Sequence, residues 1–240
     1  MNIKYRPDID GLRAIAVIFV ILFHSQITVF GIQFFRGGYI GVDIFFVISG
    51  YLITSILLKE LYLKKKINFN YFYQRRIRRL IPALLAVMIF STLIASIYLP
   101  PSRFVEFSKS ILYSLGFSSN FYFFFSELNY FEFEGLFLPF LHTWSLSVEE
   151  QFYILFPIFF LITFRYFKNY LIHILILGLL MSLGLADWVS RNHPSFNFYV
   201  LPTRAWELLA GSILSYLEIK KGHRGKNTSL NSFLPSIGIL

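Results

Sequence analysis

The sequence predicts an all-α fold, a polytopic bundle of transmembrane helices, and three observations carry that prediction. The first is composition: the 240 residues are 56% hydrophobic and 20% aromatic, with only 15% charged, where soluble domains run nearer a quarter charged. The second is distribution. Residues 80–99, LIPALLAVMIFSTLIASIYL, hold no charge, and residues 40–58 hold only Asp43; roughly 20 mostly apolar residues cross the ~30 Å hydrocarbon layer. The third is the placement of the +9 net charge. Lys59, Lys64, Lys65, Lys66, Arg75, Arg76, Arg78 and Arg79 crowd between those two segments with Glu60 as the one acid. That bias marks residues 59–79 as a cytoplasmic loop.

Taken in order, residues 14–30 read as an uncleaved first span. Asp8 and Asp10 interrupt the basic stretch a signal peptide requires, and no small-residue cleavage site follows. A cytoplasmic 59–79 loop places the N-terminus, with Lys4, Arg6 and Arg13, in the cytoplasm and the turn around Arg36-Gly37-Gly38 outside. Span 80–99 ends at Pro100-Pro101, which cannot continue a helix. Residues 104–125 are apolar but carry Glu106 and Lys109. A full crossing there would put Arg165, Lys168 and the Lys220–Lys226 cluster outside, so a re-entrant or interfacial segment is expected. Further spans are expected at 145–164, 170–187 and 205–219, with His142-Thr143-Trp144 and the Arg191–Arg204 loop on the outer side. The closing SFLPSIGIL reads as the opening of another apolar span, so residues 1–240 are expected to be an incomplete membrane domain.

Several chemistries lack their residues. There is no cysteine, hence no disulfide, thiolate nucleophile or cysteine metal site. No HExxH, GxSxG, Walker loop or GxGxxG preceding a helix occurs, and no metal site is expected. The RRIRR run is trapped between spans, which argues against nucleic acid as its partner and for lipid headgroups or a nucleotide diphosphate.

Ionisable groups inside spans cost about 2.5–3.5 kcal/mol at the helix centre and are functional candidates by default. Arg13 and His24 are 11 residues apart. At 100° per residue they return to within about 20° of one face, roughly 16 Å apart along the axis. One reading is a phosphate-holding arginine at the membrane mouth with a histidine base deeper in. The other is a boundary arginine with a histidine satisfied by a neighbouring hydroxyl, and spacing alone leaves both open. Asp10, three residues before Arg13, is placed to pair with it. Asp43 follows Gly37, Gly38 and Gly41, which permit close backbone approach; it either orients the imidazole or sits as a helix-start carboxylate near the headgroups. Glu149 and Glu150, adjacent just inside a span, and Glu207 beyond Arg204 either serve the site or pair structurally between helices.

Five blocks give these residues a context. YRPDIDGLRAIAVIFVILFHS, GGYIGVDIFFVISGYLITSIL, FYQRRIRRLIPALL, LHTWSLSVEEQFYILFP and YVLPTRAWELLAG, in that order, resemble the acyltransferase family 3 membrane O-acyltransferases, in particular the O-antigen and peptidoglycan O-acetylase branch. The family's arginine–ten residues–histidine pattern falls on Arg13 and His24, and its arginine motif on Arg75–Arg79. The resemblance implies a bacterial inner-membrane enzyme. Its donor would be cytoplasmic acetyl-CoA, and its acceptor an outer-side cell-envelope glycan such as lipopolysaccharide O-antigen or another surface polysaccharide. It implies His24 as catalytic base or acyl relay, with Glu149 or Asp43 orienting it or stabilising its cation. Arg13, Arg75, Arg76, Arg78 and Arg79 would handle the CoA phosphates. Tyr199, Arg204 and Glu207 are the candidates for acceptor handling. The family's membrane domain usually has more spans than the six counted here, and a periplasmic SGNH-type domain often follows it. Two other classes compete: a transporter or flippase, which would suit the buried charges but for which no inverted repeat is visible, and an inactive truncated remnant.

Overall fold

The computed structural model describes residues 6–30, 32–33, 35–126 and 140–221. Within them the chain is helical apart from one two-residue antiparallel pairing, β1 (Thr28–Val29) with β2 (Ile32–Gln33). The helices are α1 (Pro7–His24), α2 (Ile40–Lys64, led in by a 3-10 turn at Arg36–Tyr39), α3 (Phe69–Tyr98), α4 (Pro101–Leu115), α5 (Ser119–Phe125), α6 (Thr143–Tyr166), α7 (Leu171–Asn192), α8 (Pro194–Tyr199) and α9 (Leu201–Lys221). Four stretches are long and apolar enough to cross a membrane: Arg36–Lys64, Phe69–Tyr98, Thr143–Tyr166 and Lys168–Asn192. The helices α1 and α9 stand apart from these because of their charge: Asp8, Asp10 and Arg13 in one, Arg204, Glu207, Glu218 and Lys220 in the other.

Helix limits differ from the apolar limits at three places, each with a local cause. α1 starts at Pro7, a residue suited to the first helical turn, and stops at His24 rather than at residue 30. There Gln26 takes a left-handed φ of 49° and Ser25 Oγ bonds back to the Leu22 carbonyl at 2.7 Å. The 59–79 stretch is mostly helix rather than loop. α2 runs on to Lys64, Lys65 turns with φ 54°, and the Asn68 side chain caps α3 by accepting from the Tyr71 amide at 3.1 Å. The arginines therefore ride on α3, since arginine, lysine and glutamine are good helix formers whatever their hydropathy. Residues 104–125 form two helices broken at Gly116 and Phe117, the latter with φ 49°. At 1.5 Å per residue, α4 reaches about 22 Å and α5 about 10 Å, so neither crosses alone.

The chain divides into two compact units. The first comprises Met1–Tyr62, Ile172–Ile176 and Glu207–Leu240; the second comprises Leu63–Leu171 and Leu177–Trp206. In the first, α2 and α9 cross at glycine. A Cβ at Gly50 would strike the Leu208 carbonyl, and one at Gly211 the Val47 carbonyl. Hydroxyls complete the seam: Ser55 and Ser215 share a 2.8 Å hydrogen bond, and Ser212 reaches across to the Gly50 carbonyl at 3.4 Å. Small residues and hydroxyls do this work where lipid offers no hydrophobic drive to helix association. In the second unit, Met88 and Ala95 of α3, Phe107 of α4 and Phe140 form an apolar cluster. A polar layer lies beside it, described below.

Candidate functional site

α1 carries Arg13, half-buried, and His24, exposed in its last turn. His24 Nδ1 lies 2.8 Å from the Val20 carbonyl. A carbonyl only accepts, so Nδ1 carries the hydrogen, and in the neutral ring the lone pair sits on Nε2. Gly38 and Gly41 bring the start of α2 against this end of α1: a Cβ at Gly38 would meet the Phe19 carbonyl and one at Gly41 the Ala16 carbonyl, whereas Gly37 faces open space. Asp43 occupies the first turn of α2, where the helix dipole favours a carboxylate. The first two helices thus bring His24 and Asp43 to the same end of their hairpin.

The expected Asp10–Arg13 pair is not formed among the described residues. The acid that pairs is Asp8, 2.7 Å from Arg6, and the Arg6 hydrogen bond holds the Asp8 carboxyl below its ordinary range. Arg6 also donates to the Tyr51 hydroxyl at 3.0 Å and to Glu218 at 3.1 Å, and Tyr51 donates to Glu218. This network ties the start of α1 to α2 and α9. Sequence reasoning missed it because Arg6 and Glu218 are separated by 212 positions.

In the second unit the arginine cluster does not act as one patch. Arg75, Arg78 and Arg79 are exposed, and Arg75 stacks over Tyr71 at 4.8 Å. Arg76 turns the other way. Its guanidinium lies 3.3 Å from the centre of the Tyr153 ring of α6, and its Nε is buried without a hydrogen-bond partner. Tyr73, one turn earlier, donates to the Tyr153 and Ile154 carbonyls, each at 3.3 Å. Glu149 and Glu150 are half-buried on α6, and the charge of Arg76 reaches Glu150.

The candidate acceptor residues divide likewise. Tyr199 is buried, its ring edge-on to Trp144 at 5.8 Å. Arg204 donates from Nε to the Phe198 carbonyl at 3.3 Å, with its guanidinium 5.1 Å from the Phe198 ring and 5.7 Å from Trp144. Glu207 belongs to the first unit and is fully buried on α9, one turn before Gly211.

A polar layer holds these elements of the second unit. Ser114 meets Thr143 at 2.8 Å, Thr143 donates to Ser119 at 3.0 Å, and Ser119 meets Ser147 at 2.7 Å. Gln151 donates to the Phe117 carbonyl at 2.9 Å and to Asn120 at 2.8 Å, and Asn120 donates to the Tyr199 carbonyl at 3.0 Å. It pins the broken α4–α5 segment to the helix bearing Glu149. Its sequence signal is the polar stripe Thr143, Ser147, Gln151, spaced i, i+4, i+8 on one face of an otherwise apolar helix.

Long apolar helices, glycine-mediated crossings and ionisable groups on the helices define a multi-pass helical membrane protein. The family is equally plain: the model of the Acyltransferase domain family, acyltransferase family 3, matches residues 6–236, and the chain belongs to that family. It is similar to the peptidoglycan O-acetyltransferase OatA of Listeria monocytogenes, 41% identical over 218 residues that cover 89% of this chain and 34% of the relative. It is also similar to the O-acetyltransferase OatA of Staphylococcus aureus, 37% identical over 219 residues covering 89% of this chain and 35% of that protein. The chain thus spans about a third of the length of the curated relatives it matches. No solved structure matches it.

Proposed function

We propose that this chain belongs to a membrane O-acetyltransferase that takes acetyl groups from cytoplasmic acetyl-CoA and places them on hydroxyls of a cell-envelope glycan. Peptidoglycan is favoured over lipopolysaccharide O-antigen as that glycan, because the Listeria relative is a peptidoglycan O-acetyltransferase. The protein sits in the cytoplasmic membrane with its N-terminus inside. The observation that carries this reading is the family match across residues 6–236. The geometry fits it: one uninterrupted helix, Pro7–His24, bears Arg13 in its second turn and His24 as its last residue.

In this mechanism Arg13 binds CoA phosphate, a role proposed separately for the exposed arginines of α3. The acceptor hydroxyl oxygen attacks the thioester carbonyl carbon; a C–O bond forms, the C–S bond breaks, and CoA leaves as thiolate. His24 Nε2 takes the hydroxyl proton and returns it to the thiolate. The Val20 carbonyl holds the Nδ1 hydrogen meanwhile, which fixes the tautomer that puts the basic lone pair on Nε2. Asp43, at the same end of the α1–α2 hairpin, is the carboxylate proposed to support the transient imidazolium, and Glu149 remains a proposed catalytic carboxylate of the second unit. Tyr199, Arg204 and Glu207 remain the proposed acceptor-side residues, with Tyr199 acting from a buried position.

The test is His24→Ala in the full-length protein. General base removal lowers transfer by about 10²–10⁴-fold, read as ester-linked acetate on the glycan at equal protein level. Retained acetylation removes His24 from the chemistry. Arg13→Gln is expected to raise KM for acetyl-CoA, and an unchanged KM counts against the phosphate role.

A further inference from the structure

Four arginines at 75, 76, 78 and 79 are chemically alike and stand together in sequence, yet the structure separates one from the rest. At 100° per residue, Arg75, Arg78 and Arg79 fall within an arc of roughly 100°, and Arg76 lies outside it. Those three are exposed. Arg76 is pressed on the Tyr153 ring at 3.3 Å with Phe72 on a second side at 5.6 Å. A guanidinium seated on an aromatic face is attracted by the ring quadrupole, more strongly where water is excluded. Its Nε is sealed from solvent, so an anion approaching from water does not reach that edge of the fork without displacing Tyr153.

The contact is one of a pair. Tyr73 precedes Arg76 by three positions, hence shares its side of α3, and its hydroxyl binds the carbonyls of Tyr153 and Ile154. Those carbonyls lie just before Pro157, which interrupts the backbone ladder of α6; Pro157 has no amide to offer the Tyr153 carbonyl four residues earlier. Tyr73 therefore supplies the hydrogen bond that the proline withholds. The two contacts fix α3 against the stretch of α6 that carries Glu149 and Glu150.

We propose that Arg76 is a positioning residue that, with Tyr73, clamps α3 to the proline-weakened stretch of α6 and so sets the position of Glu149 and Glu150, while Arg75, Arg78 and Arg79 are the arginines that recognise the acyl donor. The kinetic part of this inference rests on the acyltransferase reading above; the clamp itself does not.

The experiment uses the full-length protein in detergent and in proteoliposomes. Melting is measured for Arg76→Gln, Tyr153→Leu and the double variant, with the milder Arg76→Lys and Tyr73→Phe held in reserve against misfolding. The clamp predicts that each single change lowers the melting temperature and that the double variant is no worse than the poorer single. Additive losses, or no loss at all, overturn it. In the kinetic arm, Arg76→Gln is expected to lower kcat at least tenfold with KM for acetyl-CoA within twofold, and Arg76→Lys to recover part of kcat. Arg78→Gln is expected to raise KM severalfold with melting unchanged. A raised KM and unchanged melting in Arg76→Gln would make Arg76 a donor ligand instead. A wild-type protein without transferase activity would remove the acyltransferase reading, and the melting cycle would still decide the clamp.

Discussion

At the scale of single residues, what distinguishes this protein is how differently equivalent charges are used. Asp8 and Asp10 sit two apart in the first turn of α1, and only Asp8 is bonded to Arg6. Arg6 in turn reaches Tyr51 and Glu218. Asp8 is half exposed, so its pair contributes less than about 1 kcal/mol. Because Arg6 holds its carboxyl below the ordinary range, that contribution is fully present above the ordinary carboxylate pKa and is lost as pH falls through the lowered value. Asp8→Asn is therefore expected to lower melting slightly at pH 7, with the difference from wild type shrinking as pH falls below the ordinary carboxylate range. Tyr51→Phe removes the hydroxyl shared by Arg6 and Glu218 and is expected to cost more, about 1 to 2 kcal/mol, in the same melting series. Tyr51→Phe melting like wild type would mean that the Arg6–Glu218 pair is sufficient alone. The Arg13–His24 relation was legible in the sequence because both residues lie on one helix, where spacing fixes the angle. The Arg6–Glu218 pair and the special place of Arg76 were not, since each depends on which distant helix arrives alongside.

At the scale of elements, hydropathy located the helices well and their ends poorly. Apolar runs measure what lies at membrane depth, whereas a helix ends where caps and backbone angles end it. The left-handed Gln26 and Lys65 and the Asn68 cap set boundaries that hydropathy does not register. Crossings were less legible still. The sequence pointed to Gly37, Gly38 and Gly41, and two of these do meet α1. Gly50 and Gly211 make the α2–α9 seam, and nothing local announces that they face each other. Here a side chain has no room: its first carbon would meet the backbone of the other helix rather than a flexible tip. Gly50→Val or Gly211→Val is expected to force the helices apart at a cost of about 1–3 kcal/mol or more, lowering melting of the full-length protein. Gly184 on α7 faces open space, and Gly184→Ala is expected to be neutral or slightly stabilising through helix propensity. A Gly50→Val protein that melts like wild type would show that the α2–α9 seam does not depend on this close approach.

At the scale of the whole molecule, the broken α4–α5 segment controls the side of the membrane on which each later loop lies. If that segment does not cross, the chain returns to the outer side after α3, stays there until α6, and delivers Lys168 to the cytoplasm. If it crosses, every later loop is inverted. The short reach of α4 and the left-handed Phe117 favour the first arrangement, as does the placement of Arg165 and Lys168, since basic residues are retained in the cytoplasm. Because these 240 residues contain no cysteine, single cysteines at Arg36, Lys66, Lys168 and His193, all exposed positions, can report directly. A membrane-impermeant maleimide applied to intact cells is expected to label Arg36→Cys and His193→Cys, and to label Lys66→Cys and Lys168→Cys only after permeabilisation. Arg36 and Lys66 calibrate the assay on either side of α2. Labelling of Lys168→Cys in intact cells, with His193→Cys protected, would establish that residues 104–125 cross the membrane. It would also move Trp144, Glu149 and the polar layer to the cytoplasmic half, where they would face the acyl donor rather than the glycan.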